Sequence, residues 1–215
     1  MHHFDVETLT VSPWRNGGGA TREIAAWPAG TEEFGWRASV ADIDRDGPFS
    51  AFPGVDRTLT LLTGDGVRLT CPGVFDRLLA RAGEPFAFSG DDELVAELRG
   101  GTCRVLNIMV RRGRWTIRVD QVAGPVVPPA GHAGVLHVLH GRWRTSTDGR
   151  VLTAGQGLWW DRDDHAGAGS TRVRGARGLP RHRRPQRFRP RGMRQQWENR
   201  RSPRSSFRTV TLLPS

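Results

Sequence analysis

Short apolar segments, interrupted about every ten residues by Gly, Pro and Asp, most constrain how this chain folds. In residues 36–41 apolar and polar side chains alternate strictly, which predicts a strand with Trp36, Ala38 and Val40 on one face. Further short strands are predicted at residues 105–110, 115–119, 135–139 and 158–160. Many short strands without alternating helices predict an antiparallel all-β fold of the jelly-roll type.

Two other segments carry local predictions of their own. Residues 57–62 and 67–70 lie on either side of the turn signal Gly64-Asp65-Gly66, a pattern that predicts a β-hairpin. Residues 91–98 are the one fair candidate for a helix, and that helix would be short.

The basic charge of the chain is concentrated at its C-terminal end. Residues 171–215 hold 14 of the 32 arginines and one acidic residue, Glu198, whereas the preceding part is mildly acidic. Arg, Pro and Ser dominate residues 179–215, so we expect this tail to be disordered, apart from a stretch at 210–213 that could pair as a strand. The tail could bind nucleic acid, act as a localisation signal, have no role, or be a frameshift product of a GC-rich gene.

Composition excludes several chemistries. The chain has no Lys, so it can form neither a Walker-type phosphate loop nor a Schiff base, and without Tyr it has no phenol acid or base. No apolar run reaches the ~20 residues of a membrane helix, and the first residues do not resemble a signal peptide. Cys71 and Cys103 form no Cys-x-x-Cys pair, which favours a cytoplasmic protein with free thiols.

The most informative local pattern lies near the N-terminus. It contains three successive glycines, Gly17, Gly18 and Gly19. They would allow a ligand to approach the backbone closely, or their N–H groups could form a concave nest for an anion; a plain connection between two strands is the alternative. Beside them, Trp14 offers a stacking face and Asn16 an amide.

Five polar side chains on the predicted strands are further candidates. Thr21 and Glu23 share one face of the strand that follows the glycines, and Glu23 is the best general acid or base in the sequence. Arg37 and Arg57 could clamp a carboxylate, although surface salt bridges would also explain them. Asn107 lies in an otherwise apolar strand and is either a structural hydrogen-bond hub or a ligand contact.

The histidines do not form a metal-binding pattern. Four of the seven lie between residues 132 and 165: His132, His137, His140 and His165. On a strand, the spacing of His137 and His140 places the two rings on opposite faces, because successive side chains alternate. We therefore expect no bound metal and no other cofactor.

Five segments in order resemble the HutD/Ves family. They are residues 14–24 (WRNGGGATREI), 34–41, 47–57, 88–91 and 107–113. The resemblance covers residues 1–178 and implies a bicupin, a chain with two jelly-roll lobes. We expect a first cupin lobe at 1–115, a second lobe at 116–178 that is incomplete if its last strand is lost, and the disordered tail at 179–215.

The resemblance also implies a function. We expect a non-catalytic protein linked to histidine utilisation that binds an anionic metabolite of the formyl- or formimino-glutamate type and monitors flux. Its expected ligand-binding residues are Trp14, Asn16, Gly17, Gly18, Gly19, Thr21, Glu23, Arg37, Arg57 and Asn107. The alternatives are a metal-independent isomerase or hydrolase that uses Glu23, and nucleic-acid binding through the tail. A homodimer is left open, and no membrane partner is expected.

Overall fold

The computed structural model describes residues 1–31, 33–165, 173–175 and 206–214. Strands make up nearly all regular structure in these residues, together with two 3₁₀ turns at Val6–Thr8 and Arg162–His165. The strands are β1 (His2–Asp5), β2 (Val11–Pro13), β3 (Gly19–Trp27), β4 (Trp36–Ile43), β5 (Gly47–Pro48), β6 (Val55–Thr63), β7 (Val67–Cys71), β8 (Phe75–Leu79), β9 (Pro85–Ser89), β10 (Val95–Leu98), β11 (Cys103–Arg111), β12 (Trp115–Val122), β13 (Ala133–His140), β14 (Trp143–Thr145), β15 (Val151–Leu152), β16 (Gln156–Trp160), β17 (Val173–Gly175) and β18 (Ser206–Pro214).

The strands form four sheets. Sheet I has the order β2-β3-β4-β11-β6-β9, sheet II β5-β10-β7-β8, sheet III β1-β16-β13-β18-β12 and sheet IV β15-β14-β17. Neighbouring strands are antiparallel in every described pair, which confirms the predicted all-β class.

Three apolar clusters lie between these sheets and set their stacking order. One, which includes Leu61 and Leu69, lies between sheets I and II. A second, which includes Trp36 and Val135, lies between sheets I and III, and a third around Trp160 lies between sheets III and IV. The layers therefore follow the order II, I, III, IV, and sheet I packs against a neighbour on both faces.

The alternation seen in the sequence positions the central strands. The segment 36–41 lies in β4, and Trp36, Ala38 and Val40 are fully buried on its face toward sheet III. The segments 105–110, 115–119, 135–139 and 158–160 lie within β11, β12, β13 and β16. These strand predictions are confirmed because each strand buries at least one face.

Two local predictions are wrong. Residues 95–98 form β10 rather than the end of a helix, because Ala96 is buried while Val95 and Glu97 are exposed, a period of two. The segments 57–62 and 67–70 do not form a hairpin, since β6 belongs to sheet I and β7 to sheet II. Gly64 (φ +104°) and Gly66 (φ +125°) allow the chain to turn from one sheet into the other.

Both ends of the chain enter sheet III. The first strand pairs with β16. The last, Ser206–Pro214, lies between β13 and β12, so the prediction of disorder is wrong there, and the strand expected at 210–213 is part of it. This strand supplies the C-terminal strand of sheet III, which would be missing if the whole Arg/Pro-rich tail were disordered. Residues 179–205 lie outside the described residues.

Within the described residues, no helix has both the length and the apolar character needed to cross a membrane.

Candidate functional site

A cleft of about 950 Å³ lies on the face of sheet I that points toward sheet II. Residues 12–16 form one wall, the loop 48–52 forms the opposite wall, and side chains of β3, β4, β6 and β11 form the floor. We call it the main cleft. A second opening of about 640 Å³, the side cleft, adjoins it and shares Arg37, Ala51 and Phe52 with it.

Strand register explains why these floor residues share one face. Asn107 of β11 lies opposite Ser39 of β4 and Leu59 of β6. Two residues further along, Met109 lies opposite Arg37 and Arg57. Because side chains alternate along a strand, these residues line the cleft, while their chain neighbours pack into the core shared with sheet III.

Arg57 is the most unusual residue of the main cleft. Its side chain is 5% exposed, yet no acidic group among the described residues forms an ion pair with it. Its Nη1 donates to the carbonyl oxygen of Ser50 at 3.2 Å, and its buried Nε has no hydrogen-bond partner. Burial lowers the pKa of Arg57 to about 10, because the low-dielectric surroundings disfavour the cation.

Three phenylalanine rings surround this guanidinium. Its central carbon lies 5.0 Å from the ring centroid of Phe88, 5.2 Å from Phe52 and 5.5 Å from Phe49. Such contacts are attractive through the ring quadrupoles, and more so when water is excluded. They hold the cation in place without neutralising its charge.

Arg37, the second predicted clamp, has a partner. Its Nε lies 2.7 Å from Oε2 of Glu23, and the two side chains are 28% and 47% exposed. Arg37 lines both clefts, whereas Glu23 lines the side cleft only. The carboxylate therefore neutralises Arg37 at the junction of the clefts and is not a buried acid in the main one.

Asn107 lies at the centre of the floor. Its Oδ1 is buried and has no hydrogen-bond partner. An unsatisfied buried acceptor costs about 1–3 kcal/mol, so a ligand that brings an N–H or O–H group to this atom would regain part of that free energy. Of the two interpretations left open by the sequence, this geometry favours a ligand contact.

The three glycines do not line either cleft and do not form an anion nest. The N–H of Gly17 donates to the carbonyl of Trp14, and the N–H of Gly18 to Oδ1 of Asn16, both at 2.9 Å. At Gly19 a Cβ atom would lie 2.1 Å from the carbonyl oxygen of Asp42. The glycines instead form the tight β2–β3 turn, because only glycine fits where the backbone passes so close.

That turn places a predicted residue, Trp14, at the cleft wall. Its Nε1 donates to the hydroxyl of Thr21 at 2.8 Å, and its ring packs edge-on against Phe49 with centroids 5.8 Å apart. Asn16 also lines the wall, although its side chain is committed to the turn. Trp14 thus links the glycine turn to the aromatic cage around Arg57.

The main cleft brings together six predicted residues: Trp14, Asn16, Thr21, Arg37, Arg57 and Asn107. Sequence reasoning missed Ser39, Met109 and the Phe49–Phe52 segment. The strict alternation of β4 and β11 was the signal for Ser39 and Met109, since each lies two residues from a predicted site residue. The role of the phenylalanines depends on a loop that no periodicity describes.

No histidine among the described residues lines either cleft. His137 is 4% exposed in the layer between sheets I and III, whereas His140 is exposed. Burial, and secondarily the positive charge of Arg104, lower the pKa of His137 to about 4. No group of three or more His, Cys, Asp or Glu side chains with metal-binding geometry occurs within the described residues.

Comparison with known proteins places the similarity in the part of the chain before the Arg/Pro-rich tail. The family model HutD matches residues 6–177. Protein Ves of Citrobacter koseri is 40% identical over 166 residues, 77% of this chain and 85% of that protein. Protein Ves of Cronobacter sakazakii is 38% identical over 166 residues, 77% of this chain and 90% of that protein.

Solved structures show the same fold. HutD from Pseudomonas fluorescens SBW25, determined in a formate condition, is 27% identical with a TM-score of 0.74 and covers 100% of this chain and 98% of its own. A cupin 2 conserved barrel domain protein from Leptotrichia buccalis is 11% identical with a TM-score of 0.54, over 100% and 96% of the two chains, and shows the fold alone. The chain therefore belongs to the HutD/Ves family of cupin-like β proteins.

Proposed function

We propose that the main cleft binds a small carboxylic acid of the formyl- or formimino-glutamate type, and that the protein monitors flux through histidine degradation without catalysing a step. In this proposal the sheet pairs I/II and III/IV are the two jelly-roll lobes of a bicupin that works in the cytoplasm. The observation that carries the proposal is Arg57, a buried cation in an open cleft without an acidic partner among the described residues.

The charge of Arg57 determines the class of ligand. A buried guanidinium is costly unless it is paired, and a carboxylate matches its fork of N–H donors. A bound acid would neutralise the cation that the three phenylalanine rings leave charged. A cationic ligand would be repelled at the same place.

The remaining groups in the cleft suit a metabolite with one polar group beside its carboxylate. Oδ1 of Asn107 accepts a hydrogen bond from an N–H or O–H group of the ligand. The ring of Trp14 offers a flat surface for a planar amide or amidine. The formamide of formylglutamate and the formamidine of formiminoglutamate are planar and carry N–H donors.

The alternative of an isomerase or hydrolase that uses Glu23 gains no support. An acid or base of this kind works best when burial raises its pKa toward neutrality. Glu23 is instead 47% exposed, paired with Arg37 and outside the main cleft. Nucleic-acid binding depends on the basic tail at residues 179–215, of which residues 179–205 lie outside the described residues.

Thermal melting of the full-length chain tests the proposal. The melt is recorded with histidine, urocanate, formiminoglutamate, formylglutamate or glutamate, each with and without chelator. A ligand at a hundred times its dissociation constant adds about 2.7 kcal/mol to the free energy of unfolding. For a domain of this size the Tm then rises by about 5–10 °C.

Two variants make the result specific to the site. Arg57→Met removes the cation but keeps an unbranched side chain among the phenylalanine rings, and Arg144→Met removes an exposed arginine of the other lobe. We expect a chelator-independent shift with one acid that persists in Arg144→Met and disappears in Arg57→Met. An equal shift in Arg57→Met, or no shift with any of the acids, would overturn the proposal.

A further inference from the structure

The side cleft extends the face of β11 that forms the floor of the main cleft. Asn107, Met109 and Arg111 point to this face because they are spaced by two along one strand. The first two line the main cleft and Arg111 lines the side cleft. The two openings meet at Arg37 and beneath Phe52, so together they form one groove along β11.

Arg111 lacks an acidic partner in the described part of the chain. Its Nη1 donates to the carbonyl oxygen of Pro53 at 3.1 Å, and no carboxylate there lies within ion-pair distance. The next residue behaves differently: Arg112 contacts Asp56 at 2.8 Å and Asp91 at 2.6 Å. The acidic groups near this strand end therefore neutralise Arg112 and leave Arg111 charged.

The two cations of this face that have no acidic partner among the described residues are neighbours on adjacent strands. Arg57 lies opposite Met109, so it is diagonal to Arg111, and such a pair is about 7–8 Å apart at the backbone. Arg37 lies on the other side of Met109 from Arg57 and is neutralised by Glu23. A ligand that reaches from the main cleft into the side cleft therefore meets two cations.

We propose that the side cleft is a second carboxylate subsite in which Arg111 binds the far end of an elongated dicarboxylate. This inference rests on the proposed function, because the first carboxylate of the ligand is the one held by Arg57. Because the strands fix the positions of Arg57 and Arg111, the distance between the two carboxylates determines which acid binds. Arg111 is in this sense a specificity-determining residue.

Calorimetric titration of the full-length chain tests the inference. The probes are glutarate, adipate and pimelate, each compared with the monocarboxylate of the same chain length. The proteins are the wild type, Arg111→Gln and Arg144→Gln. Arg144 is a matched control, since its Nη1 also donates to one carbonyl oxygen, that of Gly149, at 3.1 Å.

We expect the wild type and Arg144→Gln to bind one dicarboxylate at least tenfold more tightly than its monocarboxylate. In Arg111→Gln this preference should disappear while the affinity for monocarboxylates stays within twofold. A preference that survives in Arg111→Gln would overturn the second subsite and leave the proposed function standing. Failure of every acid to bind the wild type would overturn both.

Discussion

Nη1 of Arg57 donates a hydrogen bond of 3.2 Å to the carbonyl oxygen of Ser50, so a strand residue of the floor holds the opposite wall of the main cleft. The same loop contributes Phe49 and Phe52 to the aromatic cage around that guanidinium. The guanidinium that we propose as the ligand-binding group therefore also fixes the loop that shapes the cleft. If Arg57 binds the ligand as proposed, binding and local order are coupled at this one side chain.

The stability of Arg57→Met should be equal to or greater than that of the wild type. Methionine removes an unpaired buried cation and fits an apolar cage, so the desolvation cost disappears while most packing is kept. We expect the free energy of unfolding, measured by urea denaturation without ligand, to be unchanged or to rise by about 1 kcal/mol.

Arg57→Ala provides the comparison for that result. Alanine also removes the charge but leaves a cavity, so a loss of about 2–5 kcal/mol is expected. If methionine were as destabilising as alanine, the charge itself would be stabilising, and an unseen anionic partner would have to be sought.

Gly19→Ala should destabilise the fold. Its Cβ would lie 2.1 Å from the backbone oxygen of Asp42, which cannot move without shifting β4. We expect a loss of about 1–3 kcal/mol, seen as a Tm lower by several degrees. Gly47→Ala is the control, since a Cβ there meets nothing within 4 Å, and its Tm should change by less than a degree or two.

The stability of the protein should fall with pH between about 6.5 and 4 because of His137. Its pKa is about 4 in the folded protein and 6.5 in a free side chain, so in this window the unfolded chain binds a proton that the folded one does not. The contribution is fully present above pH 6.5 and lost as the pH falls toward 4. The whole shift corresponds to about 3 kcal/mol.

Urea denaturation at pH 7.5, 6.5, 5.5 and 4.5 measures this effect. His137→Leu should remove most of the slope, and His140→Gln, an exposed residue of the same strand, should keep it. Equal slopes in the wild type and His137→Leu would mean that other groups cause the loss. Asp42, whose pKa is lowered by its hydrogen bonds to Arg104 and Arg22 despite the opposing effect of burial, loses its contribution only below about pH 4.

A chain that ends after residue 205 should lose the cooperative melt of the full-length protein. Removing Ser206–Pro214 deprives β12 and β13 of a shared neighbour and opens sheet III in its middle. A variant that lacks Ser215 alone is the control and should melt like the full-length chain. Identical melts for all three would show that this strand contributes little to the stability of sheet III, and sequencing of the 3′ end of the gene would then test the frameshift hypothesis.

The parts of the fold that follow from local alternation could be predicted from the sequence. Trp36, Ala38 and Val40 form a buried face because a strand with period two must place them together. The same rule placed Asn107 and Arg57 on strands that meet in the main cleft. The all-β class followed because no segment has the length and period of a helix.

The wrong predictions fall where the chain passes from one sheet to another, or where backbone N–H groups form hydrogen bonds within their own turn. No pattern in residues 57–70 indicates that the turn at Gly64 and Gly66 leads to another sheet, since that depends on packing against sheet II. The sequence left an anion nest and a plain connection open for Gly17, Gly18 and Gly19, and the N–H groups of Gly17 and Gly18 are satisfied within the turn. The composition around Ser206–Pro214 predicts disorder, because composition carries no information on distant strands. The segment pairs with β12 and β13, which would otherwise lack a neighbour on that side.

The alternation along β11 ties recognition to folding. Leu106, Ile108 and Val110 are fully buried against sheet III, and the residues between them face the groove. A shift of this strand by one residue would exchange the two sets and expose the apolar one, so the core forbids it. The groups that line the groove are therefore positioned as accurately as the hydrophobic core, and a mutation that loosens one face is expected to weaken the proposed selectivity on the other.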